Sequence, residues 1–143
     1  MLKRKFISIL LALAAVFCLF SCGGNHNAEY VECEIISSSE TRVVISVSKT
    51  EGSVTVLDCM QALKKTGALS FALTGGMVTE INGKANAADF SGCWMLYTSD
   101  AEMSNDAWGS ITYESQTLGS AILGVETLTV EVGEIYAWEY TIF

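Results

Sequence analysis

The sequence contains no proline and only one histidine, His26. Without proline, turns must rely on glycine, asparagine and serine. A Ser-His or Cys-His catalytic pair would therefore have to use His26. A Walker loop, a G-x-S-x-G motif and a dinucleotide-binding fingerprint are also missing, and nothing in the sequence brings two carboxylates together. We therefore predict that the protein is not an enzyme.

Basic residues are few. Lys and Arg number eight against sixteen Asp and Glu. Three of the eight, Lys3, Arg4 and Lys5, lie in an N-terminal segment that we expect to be removed, and the remaining five basic residues against sixteen acidic ones give a net charge of −11. Nucleic-acid binding depends on Lys and Arg neutralising phosphates, so we exclude it. Docking on anionic lipid by charge is excluded for the same reason.

Cysteine forms too small a set for a disulfide scaffold. Two of the five, Cys18 and Cys22, lie in or next to the N-terminal segment, which leaves Cys33, Cys59 and Cys93. Three cysteines cannot all pair, and there is no C-x-x-C spacing that would predict a zinc site. Two interpretations stay open: buried, small apolar side chains, which we favour, or one disulfide bond with one free thiol.

Residues 1–21 have the three parts of an export signal. A basic start precedes an apolar run from Phe6 to Phe20, broken only by Ser8. That run is too short to span a membrane comfortably. It leads into Leu19-Phe20-Ser21-Cys22, which resembles the lipobox of bacterial lipoproteins. In that family the cysteine thiol is acylated and the chain is cleaved just before it. An ordinary secretory signal with an incidental cysteine is the alternative.

The lipobox resemblance implies a lipid anchor at Cys22. Each buried acyl methylene contributes about 0.8 kcal/mol, so two or more chains anchor stably in the lipid bilayer. Residues 22–29 then form a flexible tether, which places His26 far from any fixed partner. We predict a mature protein that is lipid-anchored on the extracytoplasmic face of the cell membrane, with its folded domain over residues 30–143.

One amphipathic helix is predicted inside that domain. Thr55 and Asp58 have the spacing of a capping box. Val56, Met60 and Leu63 recur at helical spacing, and the glycine at position 67 is a natural stop. We expect about eleven helical residues with one apolar face packed on a sheet.

The rest of the domain is predicted to be strand and turn. Asn82-Gly83 is a strong hairpin signal, Gly133-Glu134 predicts a second turn, and the segment 99–109 is predicted to be a polar loop. Apolar runs predict strands over 30–36, 42–47, 76–81, 93–97, 111–113, 126–132 and 135–143. This order predicts an α+β domain in which one helix lies across a mixed sheet.

Several segments share a familiar order and spacing: Val56-Leu57-Asp58 with Ala62-Leu63, Gly75 to Gly83, Trp94-Met95-x-Tyr97, Ala107-Trp108-Gly109, Gly119 to Gly124, and Val132-Gly133-Glu134 with Tyr136, Trp138 and Tyr140. Read together, they resemble the transcobalamin-like C-terminal domain, a bacterial family of unknown function that is similar to the β-domain of transcobalamin and intrinsic factor. The resemblance covers residues 55–143, which is most of the mature chain.

This resemblance implies a β-grasp-like fold and the binding of a soluble ligand outside the cell, with cobalamin or another corrinoid as the first ligand to consider. The animal carriers hold cobalamin between an α-helical barrel and this domain, and this sequence has no such barrel. Half a site buries half as much ligand, so a lone domain should bind weakly or need a partner.

Four residues are candidate ligand contacts: Trp94, Met95, Tyr97 and Trp108. Trp and Met present large polarizable surfaces that suit a flat, partly apolar ligand. The alternative for 94–97 is that this strand fills the core, and strand alternation allows at most one of its two faces to point outward. Trp108 lies in a polar segment, so it either contacts a ligand or pins the loop to the domain.

The acidic residues of segment 99–109 do not predict a metal site. An EF-hand loop that began at Asp100 would need glycine at position 105 and glutamate at position 111, where the sequence has Asn105 and Ile111. We expect a solvated acidic loop, no metal and no required cofactor.

Taken together, these features predict a membrane-anchored extracellular binding module for a small soluble ligand such as a corrinoid, acting alone or with a membrane protein partner. The alternative is a surface structural or adhesive module that docks a protein partner. A concave apolar pocket near Trp108 and the loop from Ser99 would favour the first function. A flat aromatic patch or an open edge strand would favour the second.

Overall fold

A computed structural model describes residues 29–143. The predicted signal peptide over 1–21, the acylation site Cys22 and the tether as far as residue 28 lie outside the described residues. In the described part of the chain, no helix has the length and apolar character needed to cross a membrane.

The described residues form one helix, nine strands and two sheets. The helix, α1, spans Val56–Lys65. The strands are β1 Tyr30–Ser38, β2 Arg42–Glu51, β3 Phe71–Thr74, β4 Met77–Ile81, β5 Lys84–Ala85, β6 Gly92–Thr98, β7 Ser104–Tyr113, β8 Gln116–Ala121 and β9 Ile135–Ile142. The larger sheet has the order β1-β2-β9-β6-β8-β7, and β3-β4-β5 form the smaller one. The α+β prediction is confirmed.

The prediction of a mixed sheet is wrong, because every strand pair within residues 29–143 is antiparallel. Helix α1 and the smaller sheet β3-β4-β5 lie between β2 and β6 in the chain, and a crossover of this kind normally creates a parallel pair. Here β9 inserts between those two strands and runs antiparallel to both. The two strands joined by the crossover are therefore parallel to each other without being neighbours.

Helix α1 begins at the predicted capping box. The Thr55 hydroxyl accepts a hydrogen bond from the Asp58 backbone N–H at 3.3 Å, and the Asp58 carboxylate accepts one from the Thr55 backbone N–H at 2.8 Å. These bonds satisfy donors that the first helical turn leaves without intrahelical partners. The helix is ten residues long, and its buried face consists of Val56, Cys59, Met60 and Leu63.

Removing this cap should destabilise the domain measurably. We expect Thr55→Ala to lower the free energy of unfolding by about 1 kcal/mol, since an N-cap side chain of this kind typically contributes that much. Urea denaturation followed by circular dichroism measures the change. Gln61→Ala is the control, because Gln61 is exposed on the same helix and takes part in no cap. Equal losses in the two variants would contradict the role of the cap.

The segment Glu126–Val132 alternates in hydrophobicity but does not form a strand, so this prediction is wrong. The Leu128 carbonyl accepts a hydrogen bond from the Val56 N–H at the start of α1, and the carbonyl of Val125, just before the segment, accepts one from the Leu57 N–H, each at 2.9 Å. Leu128 is fully buried. The segment alternates because Leu128 and Val130 enter the core beside the start of α1, and it pairs as a strand would only at the isolated bridge between Thr129 and Thr55.

Two hairpin turns position the smaller sheet. Asn82 and Gly83 have φ angles of 49° and 83°, which is the backbone form that a two-residue hairpin needs, and they join β4 to β5 as predicted. Gly75 and Gly76 form the same kind of turn between β3 and β4. The neighbouring Leu73 belongs to β3, a strand that the sequence did not predict.

Buried side chains form two clusters on opposite faces of the large sheet. The main cluster lies beneath α1 and includes Met60, Leu128 and Trp138. The smaller one consists of Val44, Tyr97, Leu118 and Ala137. This two-sided burial explains why the central strands β9 and β6 are almost continuously apolar.

Candidate functional site

Strand β6 carries three of the four candidate ligand contacts, and it divides them between the two faces of the sheet. Trp94 points into the main core and is 4% exposed. Its indole N–H donates to the Lys84 carbonyl at 2.7 Å, and the Tyr140 ring meets it edge-on at 5.5 Å. These contacts give Trp94 a packing role that leaves no ring face for a ligand.

Met95 and Tyr97 lie on the other face, as strand alternation predicted. Tyr97 is 6% exposed and belongs to the smaller cluster. Met95 is half-buried against the same cluster, and its sulfur accepts a weak hydrogen bond from the Cys93 thiol at 3.8 Å. The Tyr97 ring therefore packs in the smaller cluster, beneath the exposed surface of this face of the sheet.

Trp108 is the candidate contact that the structure leaves open to solvent, with 64% exposure. The predicted loop over 99–109 is wrong for its second half, because β7 begins at Ser104 and contains Trp108. The pairing of β7 with β8 jumps from Asn105 opposite Ser120 to Ser110 opposite Gly119. Residues 106–109 thus form a bulge that has no counterpart on β8, and Trp108 lies in it.

The bulge is held by local contacts. The Asn105 side-chain carbonyl accepts a hydrogen bond from the Ala107 backbone N–H at 3.0 Å. Gly109 closes the bulge with a φ of +124°, which strongly favours glycine. Gly119 lies opposite, where an added Cβ would come within 2.9 Å of the Ser104 Cβ. A glycine inside a strand predicts such a close approach, so Gly119 is the signal that sequence reasoning could have used to find this site.

A cleft of about 310 Å³ lies between the bulge, the start of β8 and the loop that follows β6. Most of its lining side chains share one property, since they carry hydroxyl, amide or carboxylate groups: Thr98, Ser99, Ser104, Asn105, Asp106 and Thr117. Ala101, Ala107 and Gly119 complete the wall. None of the described Lys or Arg residues lines it. The cleft is therefore polar and has no positive charge of its own.

Some of the polar groups in the cleft are already used to fix its shape. The Ser99 hydroxyl donates to the Glu134 carboxylate and accepts from the Ile135 backbone N–H at 2.8 Å. The Thr98 hydroxyl accepts from the Asp100 backbone N–H at 3.1 Å. The two Ser99 bonds tie the loop after β6 to the turn before β9, and the Thr98 bond holds the start of that loop. The floor of the cleft is consequently fixed without help from a ligand.

Other polar groups in the cleft are unused. Within residues 29–143, no hydrogen bond or ion pair involves the side chains of Ser104, Asp106 or Thr117. One carboxylate and two hydroxyls are thus available to an incoming molecule. Together they favour a ligand with several hydroxyl, amide or ammonium groups.

Strand β9 supports the floor through Tyr136, which pairs with Thr98 and is fully buried. Burial raises the pKa of Tyr136 to about 12, and the negative charges of Asp100 and Glu134 act in the same direction. The phenol oxygen accepts a hydrogen bond from the Glu131 backbone N–H at 2.9 Å. Tyr136 therefore stays neutral at physiological pH and serves as a structural anchor.

Across residues 29–143, no three His, Cys, Asp or Glu side chains are grouped so that they could hold a metal ion. No family model, curated protein or solved structure matches the chain. The transcobalamin-like resemblance and the β-grasp assignment accordingly stay predictions. The proposed function therefore rests on the geometry of the cleft and on the exposure of Trp108.

Proposed function

We propose that this protein is a binding module that takes a small, polar ligand into the cleft beside the β7 bulge, while acylated Cys22 holds it on the outer face of the membrane. The observation that carries the proposal is the set of three unused polar side chains, Ser104, Asp106 and Thr117, around a preformed concave surface. Unpaired polar groups in a cleft are specific recognition elements when a ligand excludes water from them.

The chemistry of the lining narrows the ligand. A volume of 310 Å³ lies at the lower end of the range for small-molecule sites, which is about 300–1,000 Å³. An anionic ligand is disfavoured, because Asp106 lines the cleft and Asp100 lies in the adjoining loop. The ligand is neutral or cationic and rich in hydrogen-bonding groups. For a corrinoid, only the amide-bearing rim fits the cleft, and the flat ring would have to lie against Trp108 outside it.

The position of the cleft fits a membrane-anchored protein. Strands β6 and β2 run in the same direction, because each is antiparallel to β9 between them. Strand β2 ends at Glu51, which pairs with Tyr30 on β1. Thr98 at the end of β6 and Tyr30 at the start of the domain therefore lie toward the same end of the large sheet. A tether over 22–29 would keep this end near the bilayer, where a second membrane protein could complete the site.

Blocking the cleft tests the proposal. Calorimetric titration of the mature chain with cobalamin, cobinamide and a panel of neutral monosaccharides should detect binding to at least one of these probes. Ala101→Phe should weaken that binding at least tenfold, because the larger side chain occupies the cleft. Ala85→Phe is the matched control, since Ala85 is also exposed but lies on β5 in the other sheet.

Absence of binding heat for every probe at millimolar concentration would contradict the small-ligand proposal. Equal affinity of the two phenylalanine variants would place the site elsewhere on the molecule. Binding of monosaccharides without corrinoids would keep the cleft as the site and remove the corrinoid version.

A second candidate function, docking of a protein partner, is favoured by one observation. Strand β7 is an edge strand of the large sheet, and it presents Trp108 to solvent. Exposed tryptophans on such edges are frequent anchors of protein contacts. Crosslinking in membranes, with a photoreactive residue in place of Trp108, distinguishes the two functions. A defined protein adduct supports docking, and the lack of one leaves the small-ligand site as the better account.

A further inference from the structure

Two of the three cysteines in the domain are brought together by the fold. Cys33 on β1 and Cys59 on α1 are 26 positions apart, and the Cys33 thiol donates to the Cys59 carbonyl at 3.6 Å. Both side chains belong to the main core, where Cys59 is fully buried and Cys33 is half-buried. The Cys33 sulfur on β1 thus lies against the backbone of Cys59 on α1, with Cys33 on the accessible side.

The protonation behaviour of the two thiols also reflects their contact. A hydrogen bond with the Cys59 side chain lowers the pKa of Cys33. The same contact raises the pKa of Cys59, and burial adds to the increase. Cys33 is consequently the thiol that ionises first and that a reagent can reach.

We propose that Cys33 and Cys59 form a disulfide bond that ties the edge strand β1 to helix α1. This proposal rests on the proposed export of the protein, because thiols stay reduced in the cytosol and form disulfide bonds in oxidising compartments. The third thiol, Cys93, stays free. Cys93 lies on β6, and its thiol contacts the sulfur of Met95. Met95 packs on the face of the large sheet opposite to the Cys33–Cys59 pair.

The oxidant is a disulfide-bonded thiol, supplied by an exported oxidoreductase or by oxidised glutathione. The Cys33 thiolate attacks one sulfur of that disulfide, forms a mixed disulfide and releases one thiolate. The Cys59 thiol then gives its proton to the released thiolate or to water and attacks the Cys33 sulfur, which expels the second thiolate of the oxidant. Two protein thiols lose two electrons, and the oxidant gains them.

The bond would protect a vulnerable part of the fold. Strand β1 is at the edge of the large sheet, and its pairing with β2 is interrupted by register shifts after Glu32 and Ile35. Edge strands of this kind open readily and can pair with other chains. A covalent link from β1 to α1 holds the strand on the core, and it closes a loop that contains all of β2.

Peptide mapping tests the pair directly. The chain is produced with its own signal in a bacterial host, alkylated without reduction and digested with trypsin. Cleavage after Arg42, Lys49, Lys64 and Lys84 places Cys33, Cys59 and Cys93 on three different peptides. We expect the first two peptides to be linked and Cys93 to be alkylated. The link should disappear in Cys33→Ser and in Cys59→Ser, and it should persist in Cys93→Ser.

Thermal unfolding is the second readout. Reductant should lower the melting temperature of the parent chain and of Cys93→Ser by on the order of 10 °C. It should leave Cys33→Ser unchanged. A link to Cys93, or a free Cys33 in fully exported protein, overturns the proposal.

Failure of export is a separate result, and it can be recognised. A chain that retains residues 1–21 and stays in the cytoplasm with reduced thiols counts against the proposed location. In that case the purified chain is incubated with oxidised glutathione. Formation of the Cys33–Cys59 link then supports the pairing, whereas Cys33 and Cys59 that both stay free or become glutathionylated overturn it.

Discussion

Replacing Met60 with alanine should remove about 2–5 kcal/mol from the free energy of unfolding, which is a large part of the roughly 5–15 kcal/mol that a domain of this size has. Met60 is fully buried on the inner face of α1, where it fills the space between the helix and the large sheet. Alanine would leave a cavity there, and the surrounding β-strands can close it only in part. Guanidinium denaturation followed by tryptophan fluorescence measures the loss.

Met77 offers a matched control for this experiment, because it is 52% exposed at the start of β4. Met77→Ala removes the same atoms from a solvated position, so we expect a change within about 0.5 kcal/mol. If the two methionine variants lost similar stability, Met60 would not lie at the centre of the core and the placement of α1 would be wrong.

Replacing Cys22 with alanine should abolish lipid attachment altogether. Labelled palmitate should be incorporated into the parent protein and should be absent from Cys22→Ala. The lipobox resemblance also implies that cleavage follows acylation, so the variant should retain residues 1–21 and show a correspondingly larger mass. Metabolic labelling and intact-mass measurement on the same samples check both effects.

Cys93→Ala is the control for this experiment, since it removes a half-buried cysteine of the folded domain and leaves the signal segment untouched. It should be labelled and cleaved like the parent chain. Label that persisted in Cys22→Ala would move the acylation site elsewhere. A parent chain that took up no label at all would remove the lipid anchor and the membrane-surface setting of the proposed binding site.

Local sequence signals predicted the parts of the fold whose physics is local. The Thr55–Asp58 cap spans four consecutive residues, and the Asn82-Gly83 turn needs only two residues that tolerate positive φ angles. Neither depends on the rest of the chain. The same is true of face alternation along β6, which correctly separated Trp94 from Tyr97.

Predictions failed where the partner of a segment is distant. Residues 126–132 show the alternation of a strand, but Leu128 and Val130 enter the core near the first turn of α1, and the Leu128 carbonyl accepts a hydrogen bond from the Val56 N–H. Strand β8 was not predicted, because its own sequence gives little signal for a strand. Its sequence is short and polar at its start, and it is a strand because β7 and β6 pair with it on both sides.

The candidate site shows the same division. The sequence placed Trp108 in a polar segment but left open whether it contacts a ligand or pins that segment to the domain. It could not place Thr117 and Gly119 beside Asp106, since that proximity arises from the pairing of β7 with β8 and from the bulge of residues 106–109. The polar cleft is a product of strand register, and register depends on the whole sheet.

The sequence by itself determined the export signal prediction, the acidic charge, the capped helix and the choice of α+β class, because each follows from composition or from residues close together in the chain. Only the tertiary structure decided that Trp94 and Tyr97 are core residues, that the cleft is polar, and that Cys33 meets Cys59 while Cys93 lies on the far face of the sheet. These depend on contacts between residues distant in sequence, and hydrophobic burial selects such contacts for the domain as a whole.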